Sequence, residues 1–186
     1  MSELLASQRG QLLQLARGSL EAAVRGTSPP QEPPEDAVLL QPRGCFVTLT
    51  CRGELRGCIG YVKPYKPLWL AVVQMARQAA LHDPRFEPVE AEELPLIAIE
   101  ISVLSALERS GEVSAIEVGK HGLVVTRGGF SGLLLPQVAA EYGWDRETFL
   151  SQTCLKAGLP SGAWREGTEI FTFTAEVFGE RDPGSA

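Results

Sequence analysis

The sequence predicts an α+β fold: an antiparallel or mixed sheet flanked by helices, two lobes, and a smaller α/β subdomain. Three observations carry this. Residues 45–51, 96–104 and 169–179 alternate apolar and polar positions with the strand period of two. Two stretches, 3–24 and 68–80, carry the apolar content of helices. Tight-turn residues, Arg52-Gly53 and Arg127-Gly128-Gly129, separate neighbouring strand runs and so predict hairpins. The chain reads as one domain over 1–186, with a larger lobe of about 1–109 plus 164–186 and a smaller one of about 110–163.

From the N-terminus, Leu5, Leu12, Leu13, Ala16, Leu20 and Ala23 recur at helical spacing, so residues 3–24 form an amphipathic helix laid on a core. Four prolines between Gly26 and Asp36 forbid helix and central strand alike, which makes that segment a surface loop. Cys45, Val47, Leu49 and Cys51 then share one strand face, and Phe46, Thr48 and Thr50 the other. The turn at Arg52-Gly53 folds residues 54–60 back as the partner strand. Pro67 suits the first turn of a helix through Leu68–Ala80, whose apolar residues cover most of its circumference and predict deep burial.

The run Leu96–Leu104 is rich in β-branched residues and predicts a central strand covered on both sides, placing Glu100 in a mostly apolar setting. Leu123–Thr126 and Phe130–Leu135 form a second hairpin; Pro136 opens a short helix to Ala140. Asp145 caps a longer helix from Arg146 to about Ala157, which Gly158 stops. The last strand, Glu169–Gly179, sets Phe171, Phe173, Ala175 and Val177 against Thr172, Thr174 and Glu176, and Gly184-Ser185-Ala186 reads as a frayed tail.

Chemistry concentrates in Gly53-Glu54-Leu55-Arg56-Gly57-Cys58-Ile59-Gly60. Strand alternation puts Leu55, Gly57 and Ile59 on one face and Arg56, Cys58 and Gly60 on the other. A guanidinium beside a thiol favours the thiolate, which makes Cys58 a candidate nucleophile and Arg56 a candidate anion-binding group. Gly57 and Gly60 lack a Cβ, so a ligand or a second backbone approaches closely there; the structural reading makes them a bulge or bend around a buried Cys58. Asp83 and Arg85 are a second candidate pair, either bracing their loop or contacting a ligand. His121, between Gly119 and Gly122, is a candidate acid or base, or else a turn-capping group.

These motifs carry a resemblance. Leu55-Arg56-Gly57-Cys58-Ile59-Gly60 is similar to the signature of the AMMECR domain family. Six further matches follow in order: Asp83-Pro84-Arg85-Phe86 with Glu93-Leu94-Pro95, Ser102–Ser105, Gly119–Leu123, Leu134–Ala139, Trp144-Asp145 and Lys156–Leu159. The resemblance covers nearly the whole chain. It implies a two-lobed α+β fold and, because prokaryotic members include protein A of the AmmeMemoRadiSam system, Memo-like and radical SAM proteins as partners. It implies no particular reaction or cofactor.

Two functions follow. The first is a ligand- or partner-binding accessory protein acting through a cleft around Arg56 and Cys58; the alternative is an enzyme using Cys58 as thiolate nucleophile with Arg56 and His121. A net charge of −6 and a pI near 5.0 argue against binding a nucleic-acid backbone, while a small anionic ligand stays open. No apolar run is long enough for a membrane helix, and Met1–Gln8 does not read as a signal peptide, so the expected compartment is the cytoplasm. Cys45, Cys51, Cys58 and Cys154 are then expected as thiols. With no Cys-x-x-Cys and only His82 and His121, the spacing of a structural zinc site is absent.

Overall fold

The computed structural model of this chain describes residues 3–181; the tail at Gly184–Ala186 lies outside them. In chain order the elements are α1 (Ala6–Arg25), β1 (Cys45–Cys51), β2 (Glu54–Tyr61), α2 (Leu68–Leu81), β3 (Ile97–Leu104), β4 (Glu108–Arg109), β5 (His121–Arg127), β6 (Phe130–Leu134), α3 (Pro136–Glu141), α4 (Arg146–Lys156) and β7 (Glu169–Gly179). A 3-10 turn, Ala91–Leu96, leads into β3. The fold is α+β. Every strand named from the alternating pattern is present, and only the two-residue β4 has no counterpart in the sequence reading. No helix among the described residues is long and apolar enough to cross a membrane.

The chain divides into two units, one running to Leu104 and resuming at Glu176, the other from Ser105 to Ala175. In the first, β2 pairs with β1 and β1 with β3, all antiparallel, and the end of β7 lies beside β3. One sheet face is apolar: Cys45, Val47, Leu49, Ile97, Ile99, Ile101 and Val103 are buried with α1 and α2. The two helices pack together, and Ser19 Oγ of α1 donates to the Val73 carbonyl of α2 at 2.6 Å, so a buried hydroxyl is satisfied where the helices meet. Burying a set of side chains of this size, each contributing about 1.5 to 3 kcal/mol, is what fixes the register of the three strands.

In the second unit β5 lies between β6 and the beginning of β7, and β4 pairs with β7. Leu123, Val125 and Leu134 pack against Phe149, Leu150 and Cys154 of α4 to make a separate core. Asp145 caps α4, its carboxylate accepting from the Thr148 N–H at 2.8 Å.

Three sequence expectations are corrected. Leu5, placed on the buried stripe of α1, is 64% exposed, and Leu4 packs in the core in its place. Glu100 is exposed, although Ser102 and Leu104 on the same face of β3 are buried, so that face is covered at one end of the strand only. In β7 the buried residues are Ile170, Phe173, Phe178 and Gly179, whereas Val177 is 43% exposed. The single parity expected for β7 fails because Ile170 serves the second core and Phe178 the first.

Candidate functional site

Arg52 and Gly53 close the β1–β2 hairpin, both in the left-handed region, with φ of 54° and 90°. That is the geometry of a two-residue hairpin turn. From there the register is Cys51 to Glu54 and Thr50 to Leu55, but Leu49 faces Gly57, which leaves Arg56 as the extra residue of a β-bulge. The bulge changes the expected faces. Leu55 comes opposite Thr50, on the same face as Cys58 opposite Thr48, rather than with Gly57 and Ile59.

Arg56 does not lie against the Cys58 sulfur as strand alternation suggests. Its guanidinium makes a fork with Glu93, Nε to Oε1 at 2.7 Å and Nη2 to Oε2 at 2.9 Å. It also donates to the carbonyls of Glu87 and Pro88, at 2.8 and 3.3 Å. The bulge turns the side chain toward the 82–96 segment, and bidentate pairing holds it there. Glu93 is correspondingly held below the ordinary carboxylate range, chiefly by that bond.

The guanidinium at Cys58 belongs to Arg85. β2 is an edge strand, and its Cys58 N–H donates to Asp83 Oδ2 at 2.8 Å while the Cys58 carbonyl accepts from Arg85 Nη2 at 3.2 Å. Asp83 and Arg85 are themselves bonded, at 2.7 and 2.9 Å, and the Arg85 backbone N–H adds a third bond to the carboxylate. Asp83 is buried, and the Arg85 side chain holds its carboxyl well below the usual range despite that burial. An ion pair thus takes the place of a neighbouring strand at one peptide of the edge. The Cys58 sulfur is half-buried and accepts a bond from Thr48 Oγ1 at 3.3 Å.

The two signature glycines are spaces for the chain itself. A Cβ at Gly57 would overlap the Ala79 carbonyl of α2, and one at Gly60 would overlap the Cys45 carbonyl and the Phe46 ring. Of the two close approaches the sequence allows at these glycines, a ligand or a second backbone, the structure has a second backbone at Gly57: that of α2, which lies directly on β2.

Beside the bulge is an open cleft of about 490 Å³, lined by Cys51, Arg52, Leu55, Arg56, Glu93 and Leu96, with Glu54 also at its wall. Leu55 and Leu96 are 45% and 40% exposed and supply its apolar surface. The thiol of this cleft is Cys51, which the sequence reading did not single out; its position at the last residue before the turn was the available signal. Glu93, too, was quoted only as part of a motif, and Thr48 only as a residue on one face of its strand.

An AMMECR1 family model matches residues 13–178. The chain belongs to the AMMECR1 family. Among its relatives, a protein of Methanothermobacter thermautotrophicus is 46% identical over 179 residues, covering 91% of this chain and 92% of the relative. Protein TK0174 of Thermococcus kodakarensis is 44% identical over 186 residues, covering 92% and 90%. The crystal structure of the uncharacterized protein PH0010 from Pyrococcus horikoshii superposes with a TM-score of 0.85 at 42% identity, covering 94% of this chain and 92% of that one.

In this AMMECR1 chain the first unit therefore brings Arg56, Cys58, Asp83 and Arg85 onto and around one edge strand. His121 belongs to the second unit, where its Nδ1 accepts from the Glu117 backbone N–H at 3.0 Å. Glu117 is also paired with Lys120 at 2.7 Å, so the ring closes a turn whose apex, Gly119, has a φ of 84°. His82, the C-cap of α2, is exposed. Among the described residues no group of three or more His, Cys, Asp or Glu is arranged to hold a metal ion.

Proposed function

We propose that this AMMECR1 chain is a ligand- or partner-binding accessory protein, and that its binding surface is the cleft beside Arg56, adjoining Cys58. The observation that carries the reading is the cleft itself: about 490 Å³, with exposed Leu55 and Leu96 for apolar contact and Arg52 and Glu54 for polar contact. Its wall is stiff, because the Arg56–Glu93 fork ties β2 to the 3-10 turn before β3. A preformed surface with mixed chemistry binds without a large ordering cost. Memo-like and radical SAM proteins, the companions implied by the AmmeMemoRadiSam resemblance, are the partners to test.

The experiment is a pull-down with purified Memo-like and radical SAM proteins. Arg52→Glu and Leu96→Asp, both on exposed positions, are expected to abolish capture, and Cys58→Ser to leave it intact. Capture unchanged by both cleft variants overturns the reading.

The enzyme reading rests on a different observation, the Thr48 hydroxyl 3.3 Å from Cys58 Sγ with the Arg85 guanidinium bonded to the same residue. In it, Cys58 attacks as thiolate, and Arg85 takes over the ionising role first given to Arg56. His121 would have to act from the second unit. The accessory reading is preferred because Asp83, Arg85 and Arg56 are all committed to holding the backbone.

A further inference from the structure

At the opposite end of the β1–β2 ladder from the turn, two buried polar atoms have no hydrogen-bond partner among the described residues: Arg43 Nη1 and Tyr61 Oη. Both flank Cys45. Tyr61 faces it across the ladder, and Arg43 precedes it by two residues, joined through Gly44, where a Cβ would overlap the Val62 and Tyr61 carbonyls. Arg43 is 8% exposed and makes no ion pair or side-chain hydrogen bond among the described residues. The other buried charged residue, Asp83, has Arg85; Arg43 has no counterpart.

A buried guanidinium without an anion is costly, because desolvation is not offset by any opposite charge. Nothing near it in the chain supplies one. Between Ala37 and His82 the acidic residues reduce to Glu54, at the far end of the hairpin, against Arg43, Arg52, Arg56, Lys63, Lys66 and Arg77. The nearest acid upstream, Asp36, is taken by Gln8 Nε2 and the Val38 N–H, both at 2.8 Å. Cys45 offers no charge either, since burial pushes its thiol up to about 12. The Tyr61 phenol is likewise pushed up to about 12, chiefly by burial, and stays a donor.

The surroundings are electropositive beyond Arg43. Pro42 bridges to Pro67, which sets Arg43 beside the start of α2, and the first turn of that helix holds no acid. Lys66 pairs with a neutral amide, Gln74 Oε1, at 2.7 Å, and so keeps its charge uncompensated.

We infer that Arg43 and Tyr61 form a binding site for an oxyanion, a carboxylate or phosphate group, at the end of the β1–β2 ladder and separate from the Arg56 cleft. The guanidinium and the phenol are the donors such a group needs, and the bonds are charge-assisted. Because the pair lies outside the cleft, the inference stands or falls independently of the proposed function.

The test is thermal unfolding of the full chain in sodium phosphate and in sodium succinate, each against sodium chloride at equal ionic strength. Phosphate, succinate or both raise the Tm of the native protein, and which one does so identifies the group. Arg43→Met, which removes the uncompensated charge while keeping the stem, weakens the binding behind that rise by roughly tenfold or more. If Arg43→Met yields no folded protein, Tyr61→Phe decides, with a reduced anion response expected. No rise with either anion in the native protein, or an unreduced rise in the deciding variant, overturns the inference.

Discussion

Asp83 Oδ2 accepts the backbone N–H of Cys58 at 2.8 Å, across 25 residues of chain. The bond closes the loop after α2 onto the edge strand, and Arg85 completes it from the carbonyl side. Removing the carboxylate leaves a strand N–H without its partner and Arg85 without its counter-charge. Asp83→Ala is therefore expected to destabilise the protein by about 2 to 3 kcal/mol. The urea midpoint checks this; an unchanged midpoint means the clip contributes nothing.

The same clip makes stability depend on acid. Asp83 and Glu93 both have folded-state pKa values below their unfolded ones, each chiefly because an arginine side chain bonds the carboxylate. A depressed carboxyl contributes stability that is fully present above the unfolded value, near pH 4, and is lost as pH falls through the folded value. The native protein should lose stability progressively as pH falls below about 4, and Asp83→Asn, which cannot titrate there, should show a shallower loss. Urea unfolding across that range measures both slopes. Parallel slopes would remove Asp83 from the acid response.

Gly57 and Gly53 separate two reasons for a glycine in one hairpin. At Gly57 a methyl group meets the Ala79 carbonyl of α2, and backbone cannot step aside cheaply. At Gly53 the space is open and only the φ of 90° is at stake. Gly57→Ala is expected to cost about 2 to 3 kcal/mol and Gly53→Ala about 1 kcal/mol. Thermal unfolding of the pair tests the order, which reverses if α2 can shift away from β2.

Most of the hairpin was legible because alternation and a two-residue turn are local signals. Cys45–Cys51 and Glu169–Gly179 were bounded correctly on that basis. The glycines marked a bulge or bend, but the side chosen by Arg56 was not legible, since which residue a bulge leaves unpaired is set by the register of two strands. Glu100 was misplaced for a related reason: a β-branched run shows that a strand is apolar, not how far along the strand each face is covered. Val177 was misplaced because β7 serves two cores, so its buried positions follow no single parity. The Asp83–Arg85 pair was visible as a pair; its target, the Cys58 peptide, required the fold.

The four thiols allow the two readings of the signature cysteine to be separated. Cys45 and Cys154 are fully buried, and burial raises both pKa values, so iodoacetamide should leave them unmodified in the native protein. Cys51 and Cys58 are both half-buried and should label, Cys51 from the cleft and Cys58 from the face it shares with Thr48. If Cys58 is a structural residue beside a binding cleft, its alkylation rate should stay below that of the urea-unfolded chain. If it is a nucleophile, its labelling at neutral pH should exceed the unfolded rate, and Arg85→Gln should slow it by roughly tenfold, the effect of withdrawing one nearby cation. Peptide-resolved mass spectrometry reads all four sites in one experiment. A Cys58 rate above the unfolded one, slowed by Arg85→Gln, would replace the accessory reading with the enzymatic one.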